Sequence, residues 1–435
     1  MESLSVVGIV VALALLMFLA MRGFSVLVIA PFCAIIVALT SGIPLMEGLG
    51  GAYMEGLGGF VIRFFLVFML GALFGKYMED SGAALSISNS LLNLTGRDKP
   101  YRALISIMII CAVLTYGGVN LFVIVFSVIP LARPIFKALN IEWGLLMAPI
   151  ALGAATFTMT MVPGTPALTN IIPMSYLGTH ATAAPLVGLV ASIVVIFVGC
   201  WYMKIQINKS QREGKGYEEP SQGVGQSTTQ SVIDNNKPNV LLSLVPPVVL
   251  LIAMNIFKVN VVIALVLGIV VAAILFSKYI PNQLMTLNKG ASNAIMPLFN
   301  TCAVVGFGSI VAITAGFAVI SSALLSIPGS PLISLTIATN ILAGVTGSAS
   351  GGLGIALQAL APVYIDLGLN PEVIHRIASI ASGGLDALPH NGAVITLLTA
   401  AAVSHKDGYK HIFWTAVVAP IVASIPAILL AVLLY

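Results

Sequence analysis

Charge is what this chain has least of: 8% of its 435 residues are Asp, Glu, Lys or Arg, against 59% hydrophobic. A water-soluble domain carries about 25% charged residues to meet solvent over its surface. The composition therefore excludes an ordinary soluble enzyme or binding module as the bulk of the chain. Cysteine is scarce as well. Cys33, Cys111, Cys200 and Cys302 each stand alone in an apolar run, without the spacing of a metal site or a redox pair, and read as packing residues. Long polar stretches are missing except for one, from Lys204 to Pro238. It runs through Gln211-Arg212-Glu213-Gly214-Lys215-Gly216 into a Gln/Ser/Thr/Gly tract and reads as a flexible linker without a core. The net charge of +4 says little about nucleic acid, because the basic residues are scattered over short loops, and no nucleic-acid partner is expected. The Gly-rich string from Gly48 to Gly59 follows no strand and matches no phosphate loop, so no nucleotide cofactor is expected.

What the chain has instead is apolar runs. Many approach the roughly 20 residues that cross a ~30 Å hydrocarbon core as a helix. Its 41 Gly and 23 Pro suit membrane helices that break to line a cavity. Met1-Glu2-Ser3 offers no basic leader, so residues 4–21 read as a retained first helix. The fold class is an all-α polytopic membrane protein. If 103–133 and 332–365 are re-entrant hairpins, one face collects Arg22, Arg97, Lys99, Arg102, Arg133, Lys137, Lys204, Lys209, Arg212, Lys215, Lys237, Lys278, Lys289, Lys406 and Lys410. That is 15 of the 19 Lys and Arg. Positive charge marks the cytoplasmic side. The reading gives about eleven spanning helices in a bacterial inner membrane, with the N-terminus outside and the linker cytoplasmic.

The halves 1–203 and 239–435 resemble each other. Gly71-Ala72-Leu73-Phe74-Gly75 echoes Val305-Gly306-Phe307-Gly308, and Leu114-Thr115-Tyr116-Gly117-Gly118 lies opposite Val345-Thr346-Gly347-Ser348-Ala349. Pro130 matches Pro362, and Val162-Pro163-Gly164-Thr165-Pro166 lies opposite Leu388-Pro389-His390-Asn391-Gly392. An odd number of helices on each side of an inside linker makes the repeats inverted, as in secondary transporters that bind substrate near the midplane. Each repeat holds a hairpin (about 103–133 and 332–365) and a broken helix (about 145–175 and 372–402).

Four segments place polar residues, Gly and Pro where a span should be apolar: Thr115 to Asn120, Thr156 to Asn170, Thr346 to Gly352, and Ser382 to Gly392. Gly117, Gly118, Pro163, Gly164, Gly347, Gly351, Pro389 and Gly392 are the expected breakers, because Pro removes a donor and Gly weakens a helix. Half-helix starts aim partial positive charge at an anion, freed carbonyls can hold a cation, and short Ser, Thr and Asn side chains fit carboxylate and hydroxyl groups. The blander account is close helix packing by small residues. Asp386 and His390, four apart and flanking Pro389, are intramembrane ionisable groups that could carry a coupling proton. They could also only fix the break. His375 and Arg376 read as the outer end of a span, with anion steering as the sharper alternative. Lys76, Glu79 and Asp80 read as a span end before an interfacial helix over 83–95. Ser404-His405-Lys406-Asp407 has hydrolase-like letters but falls in a short loop.

The ordered hairpins and broken helices resemble the ion transporter superfamily. The segment Gly383-Gly384-Leu385-Asp386-Ala387-Leu388-Pro389-His390-Asn391-Gly392-Ala393-Val394-Ile395-Thr396 resembles the C-terminal motif of the gluconate permease (GntP) family, on the side of its β-hydroxybutyrate-like monocarboxylate branch. The resemblance spans most of the chain outside the linker. It implies proton-linked uptake of small hydroxy acids by an elevator mechanism on a homodimeric scaffold. It also implies that Asn120, Thr165, Ser348, Ser350, His390 and Asn391 line the substrate site, with Asp386 and His390 as proton-coupling groups. The tips lack the Ser-Asn-Thr of sodium-coupled dicarboxylate relatives, which favours H⁺ over Na⁺. No metal, other cofactor or enzymatic activity is expected. A cation/proton antiporter is the rival, a membrane-embedded enzyme a second and a channel a third.

Overall fold

The computed structural model describes every residue except 1, 23, 96–98, 120, 219–236, 326–329 and 390. The described chain is all helix, with no strand among the described residues. In chain order the elements are α1 (Glu2–Met21), α2 (Val26–Thr40), α3 (Glu47–Asp80), α4 (Ala83–Thr95), α5 (Pro100–Tyr116), α6 (Leu121–Ala138), α7 (Trp143–Thr160), α8 (Leu168–Leu177) and α9 (Pro185–Arg212). After the linker come α10 (Val240–Asn255), α11 (Val261–Leu275), α12 (Gln283–Ala312), α13 (Ala315–Leu325), α14 (Pro331–Thr346), α15 (Ala349–Asp366), α16 (Pro371–Ser382), α17 (Gly392–Ala400) and α18 (His405–Leu434). Helix is the expected answer for an apolar chain, since it satisfies every backbone N–H and C=O within one segment. Among the described residues five elements, α3, α7, α9, α12 and α18, are long and apolar enough to cross a membrane, and shorter apolar helices accompany them.

Local chemistry sets the helix starts. Pro100, Pro185, Pro331 and Pro371 occupy first-turn positions, where the missing N–H is no loss. In the second half, Asn239, Asn260, Asn282, Ser330, Ser348 and Asn370 each accept a first-turn N–H through the side chain. Each such cap is worth about 1 kcal/mol. Small residues let the helices approach. Gly56 of α3 lies on Ser309 of α12, Gly308 of α12 lies on Ile355 of α15, and Gly199 of α9 lies on Leu152 of α7. A small apolar core joins α1, α2 and the start of α3 to the end of α12, and a larger one holds the remaining helices.

Two faces are defined by the loops. The Tyr217 N–H donates to Asn140 Oδ1 at 2.8 Å, the Trp143 indole donates to the Ala401 carbonyl at 2.8 Å, and Lys410 pairs with Glu142 at 3.7 Å. These bonds put the start of the linker, the α6–α7 turn and the start of α18 on one face, called here the linker face. Helix α9, 28 residues long and so about 42 Å, carries the chain to the opposite face. There the Ala184 N–H donates to Glu372 Oε2 at 3.3 Å, joining the α8–α9 turn to the start of α16. The helical pair α5–α6 therefore ends on the linker face, and the pair α14–α15 leads to the opposite face. Helix α4 follows α3 directly, with the Ser81 hydroxyl accepting the Ala83 N–H at 3.2 Å.

The packing of Gly153 gives a test. A Cβ there would run into the Met108 carbonyl and the Cys111 side chain, whereas one at Gly58 would meet nothing within 4 Å. Gly153→Val should cost about 1–3 kcal/mol and lower the thermal midpoint in detergent, while Gly58→Ala leaves it unchanged or higher.

Candidate functional site: two broken helices and their supports

Helices α7 and α8 are one apolar run interrupted at 161–167, and α16 and α17 are another, interrupted at 383–391. Pro163 and Pro166 remove donors from the first break, and Gly164 holds φ +81°, a left-handed backbone that glycine adopts without strain. The second break carries Gly383, Gly384 and Pro389.

Each break lies against a hairpin tip and against the other break. Gly118, at the α5–α6 turn, packs on Pro166, and the Tyr116 hydroxyl donates to the Pro163 carbonyl at 3.4 Å. Gly344, near the α14–α15 turn, would place a Cβ 2.9 Å from Leu385 Cβ. Gly383 would place one 2.8 Å from Thr160 Oγ1, at the end of α7. The half-helices also cross over. Helix α8 packs on α15 and α16, from the second half of the chain, and α17 packs on α6, from the first.

The side chains expected at this site are mostly occupied in shaping it. Thr165 is buried, and its hydroxyl accepts the Ala167 N–H at 3.3 Å. Asn391 caps α17, accepting from Ala393 N at 2.6 Å and Val394 N at 3.1 Å, while its amide donates to the Asp386 carbonyl at 2.8 Å. Ser348 caps α15 by accepting the Gly351 N–H at 3.1 Å, and its hydroxyl lies 3.3 Å from that of Ser350. Gly347 ends α14 with φ +57°. Asp386 is half-buried in the second break, within electrostatic reach of Tyr409, whose buried hydroxyl has no partner among the described residues. Asn120 and His390 lie outside the described residues. Helix breaks and caps thus account for Thr165, Ser348 and Asn391, and no hydrogen bond joins these three side chains to one another among the described residues.

His375 and Arg376 lie in the first turns of α16, at the span end away from the linker, but the anion-steering alternative requires a correction. Both are fully buried and so not open to anions. Arg376 donates to the carbonyls of Ala183 at 2.9 Å, Ala181 at 3.1 Å and Met161 at 3.4 Å. His375 lies between Thr179 Oγ1 at 2.7 Å and Asn170 Oδ1 at 3.2 Å. Asn170 in turn donates to the carbonyls of Thr165 and Ala181, both at 2.9 Å, and Ser379 donates to the Thr169 carbonyl at 2.9 Å. One face of α16 therefore clamps the first break. The sequence signal was available: an Arg inside an apolar run must be paired with something, and broken helices supply unpaired carbonyls. Asn340 was also missed. It is 8% exposed, and its side-chain oxygen lies against Gly384 with no partner among the described residues. Ser404 and Asp407 prove to be a helix start, the Asp407 N–H donating to Ser404 Oγ at 3.2 Å.

The model of the GntP family permease matches residues 3–433. The chain belongs to that family. An uncharacterized transporter of Bacillus subtilis, YxjC, is 37% identical over 93% of this chain and 94% of its own length. A gluconate permease of Bacillus licheniformis is 30% identical over 46% of this chain and 42% of the relative. Two solved structures share the fold at 14% identity. The Alcanivorax borkumensis YdaH transporter has a TM-score of 0.57 over 89% of this chain and 88% of that one. Neisseria gonorrhoeae MtrF, described with a class of antimetabolite efflux pumps, has 0.55 over 97% and 94%. This GntP family member is thus a multi-pass membrane transporter.

The clamp makes a specific demand on Arg376. Arg376→Lys keeps the charge but cannot reach three carbonyls with a single ammonium. Stranding buried carbonyls costs about 1–3 kcal/mol each. The thermal midpoint of the variant in detergent should fall by several degrees, with Arg376→Met at least as damaged.

Proposed function

We propose that this permease is a proton-coupled symporter that takes a small hydroxy monocarboxylate, 3-hydroxybutyrate-like or gluconate-like, into a bacterial cell across the inner membrane. The observation that carries the proposal is the meeting of two broken helices, each with a hairpin tip against it. A broken helix at depth is tolerable only inside protein or around a cavity, and it leaves N–H and C=O dipoles suited to an anion and a proton or cation.

The halves 1–203 and 239–435 act as inverted repeats around the 204–238 linker, with about eleven spans and two re-entrant hairpins. The pairs α5–α6 and α14–α15 lead to opposite faces and so support that reading. The hairpins and broken helices move together as an elevator against a homodimeric scaffold, which draws support from the separate small core joining α1, α2 and α12. The linker face is cytoplasmic, where Lys and Arg gather, and the N-terminus lies outside.

In this reading the carboxylate is met by the half-helix starts at Ala167, Ser348 and Asn391, with Asn120, Thr165, Ser350 and His390 supplying hydrogen bonds. Asp386, the acid within the second break, carries the proton alone or with His390. The family membership and the named gluconate permease support the substrate class, and the missing Ser-Asn-Thr tips favour H⁺ over Na⁺.

Uptake of labelled 3-hydroxybutyrate into proteoliposomes should follow a pH gradient (inside alkaline) and not a sodium gradient, with gluconate competing. Asp386→Asn should abolish accumulation against a gradient while keeping substrate exchange, since exchange needs no net proton movement. Cation-dependent proton flux without any organic substrate would replace the symporter by a cation/proton antiporter.

A further inference from the structure

Outside the break-and-hairpin assembly, on the face opposite the linker, a cavity of about 270 Å³ lies between the α8–α9 turn and the α10–α11 turn. Its lining includes Lys258, His180, Thr182, Asn255 and Asn260, and no carboxylate. Lys258 is exposed and has no ion-pair partner among the described residues. Its backbone holds φ +51°, a conformation that Gly or Asn takes more readily. A lysine at such a position brings a cation to the cavity wall where the backbone alone would favour another residue. His180 brings an imidazole, a hydrogen-bonding ring, to the same wall. Beneath both, the N-terminal end of α11, a 15-residue helix capped by Asn260, adds the positive pole of its dipole.

The floor of the cavity is the outer wall of the first break. Asn255 donates to the Gly164 carbonyl at 2.9 Å, and its own side-chain oxygen is buried without a partner among the described residues. Ala181, also in the lining, accepts the Gly164 N–H at 2.9 Å and a bond from Arg376 at 3.1 Å. Whatever enters this cavity is one hydrogen-bonded layer from Pro163-Gly164-Thr165-Pro166. The only formal charge in the lining is positive, the polar groups include amides and a hydroxyl, and the space suits a small molecule.

We propose that this cavity is an entry site for a small organic carboxylate, in which Lys258 and His180 hold the anion before it passes to the breaks. The inference rests on the transport reading above and adds residues that lie outside the proposed substrate site. Exposed cations act chiefly on encounter, so their loss raises the substrate concentration needed and leaves turnover alone.

Uptake kinetics of the full-length protein in proteoliposomes test this, with labelled 3-hydroxybutyrate as the probe. Lys258→Asn keeps a residue tolerant of the left-handed backbone and removes the charge, and it is combined with His180→Gln. The pair should raise KM about five- to tenfold with kcat within about twofold of wild type. The difference should shrink at roughly 0.5 M salt, where exposed charges are screened. Lys258→Arg should restore the wild-type KM. An unchanged KM, or a change that ignores salt or falls on kcat, overturns the entry site while leaving the transporter reading intact. Absence of carboxylate uptake by wild-type protein under any gradient overturns the transport reading and the entry site together.

Discussion

The constraint on which this structure depends is that every backbone polar group at membrane depth must find a partner. A continuous helix meets it without help, and a broken one does not. Each break therefore recruits side chains that stand in for the missing helix: Asn391 and Ser348 cap half-helix starts, Asn170 ties down the Thr165 carbonyl, and Arg376 gathers carbonyls from three places. Burying a guanidinium is costly unless its donors are satisfied. Here the carbonyls of Met161, Ala181 and Ala183, at and beside the first break, supply those acceptors, so the guanidinium is satisfied where the broken backbone leaves carbonyls to bind.

This sharing couples the two halves of the chain. Arg376 and His375 belong to the second broken helix, yet their partners are Met161, Asn170, Thr179, Ala181 and Ala183 of the first half. Glycine and threonine at the crossing make the coupling close, as at Gly383 on Thr160. Side chains bonded across the crossing tie the two broken helices to one another. Much of the polarity of this region is thus invested in holding backbone, and a smaller share is left to face a ligand.

Much of the architecture could be read from sequence because the signals are local. Hydropathy marks the helices, Pro and Gly mark the breaks at 161–167 and 383–391, and Pro, Ser and Asn mark helix starts. The segment from Gly383 to Thr396 pointed to the family, and the family model covers residues 3–433. The individual site residues were less legible. Thr165, Ser348 and Asn391 were recognised as polar groups at breaks, but a sequence does not say whether such an oxygen is turned toward a ligand or spent on the next N–H. Asn340 carried no local signal, because it lies within the regular helix α14 and matters only through its contact with Gly384.

What the sequence by itself determined is where the chain is apolar, where it must break, and which family it belongs to, since each depends on neighbouring residues or on ordered motifs. Only the tertiary structure decided the partners of Arg376 and His375, the crossing of the half-helices, and the placing of Lys258 and His180, 78 positions apart, in the wall of one cavity. Those depend on long-range packing: a side chain's role follows from which carbonyls, helix ends and cavities the fold brings within about 3 Å of it, and hydropathy along the chain contains no such distance.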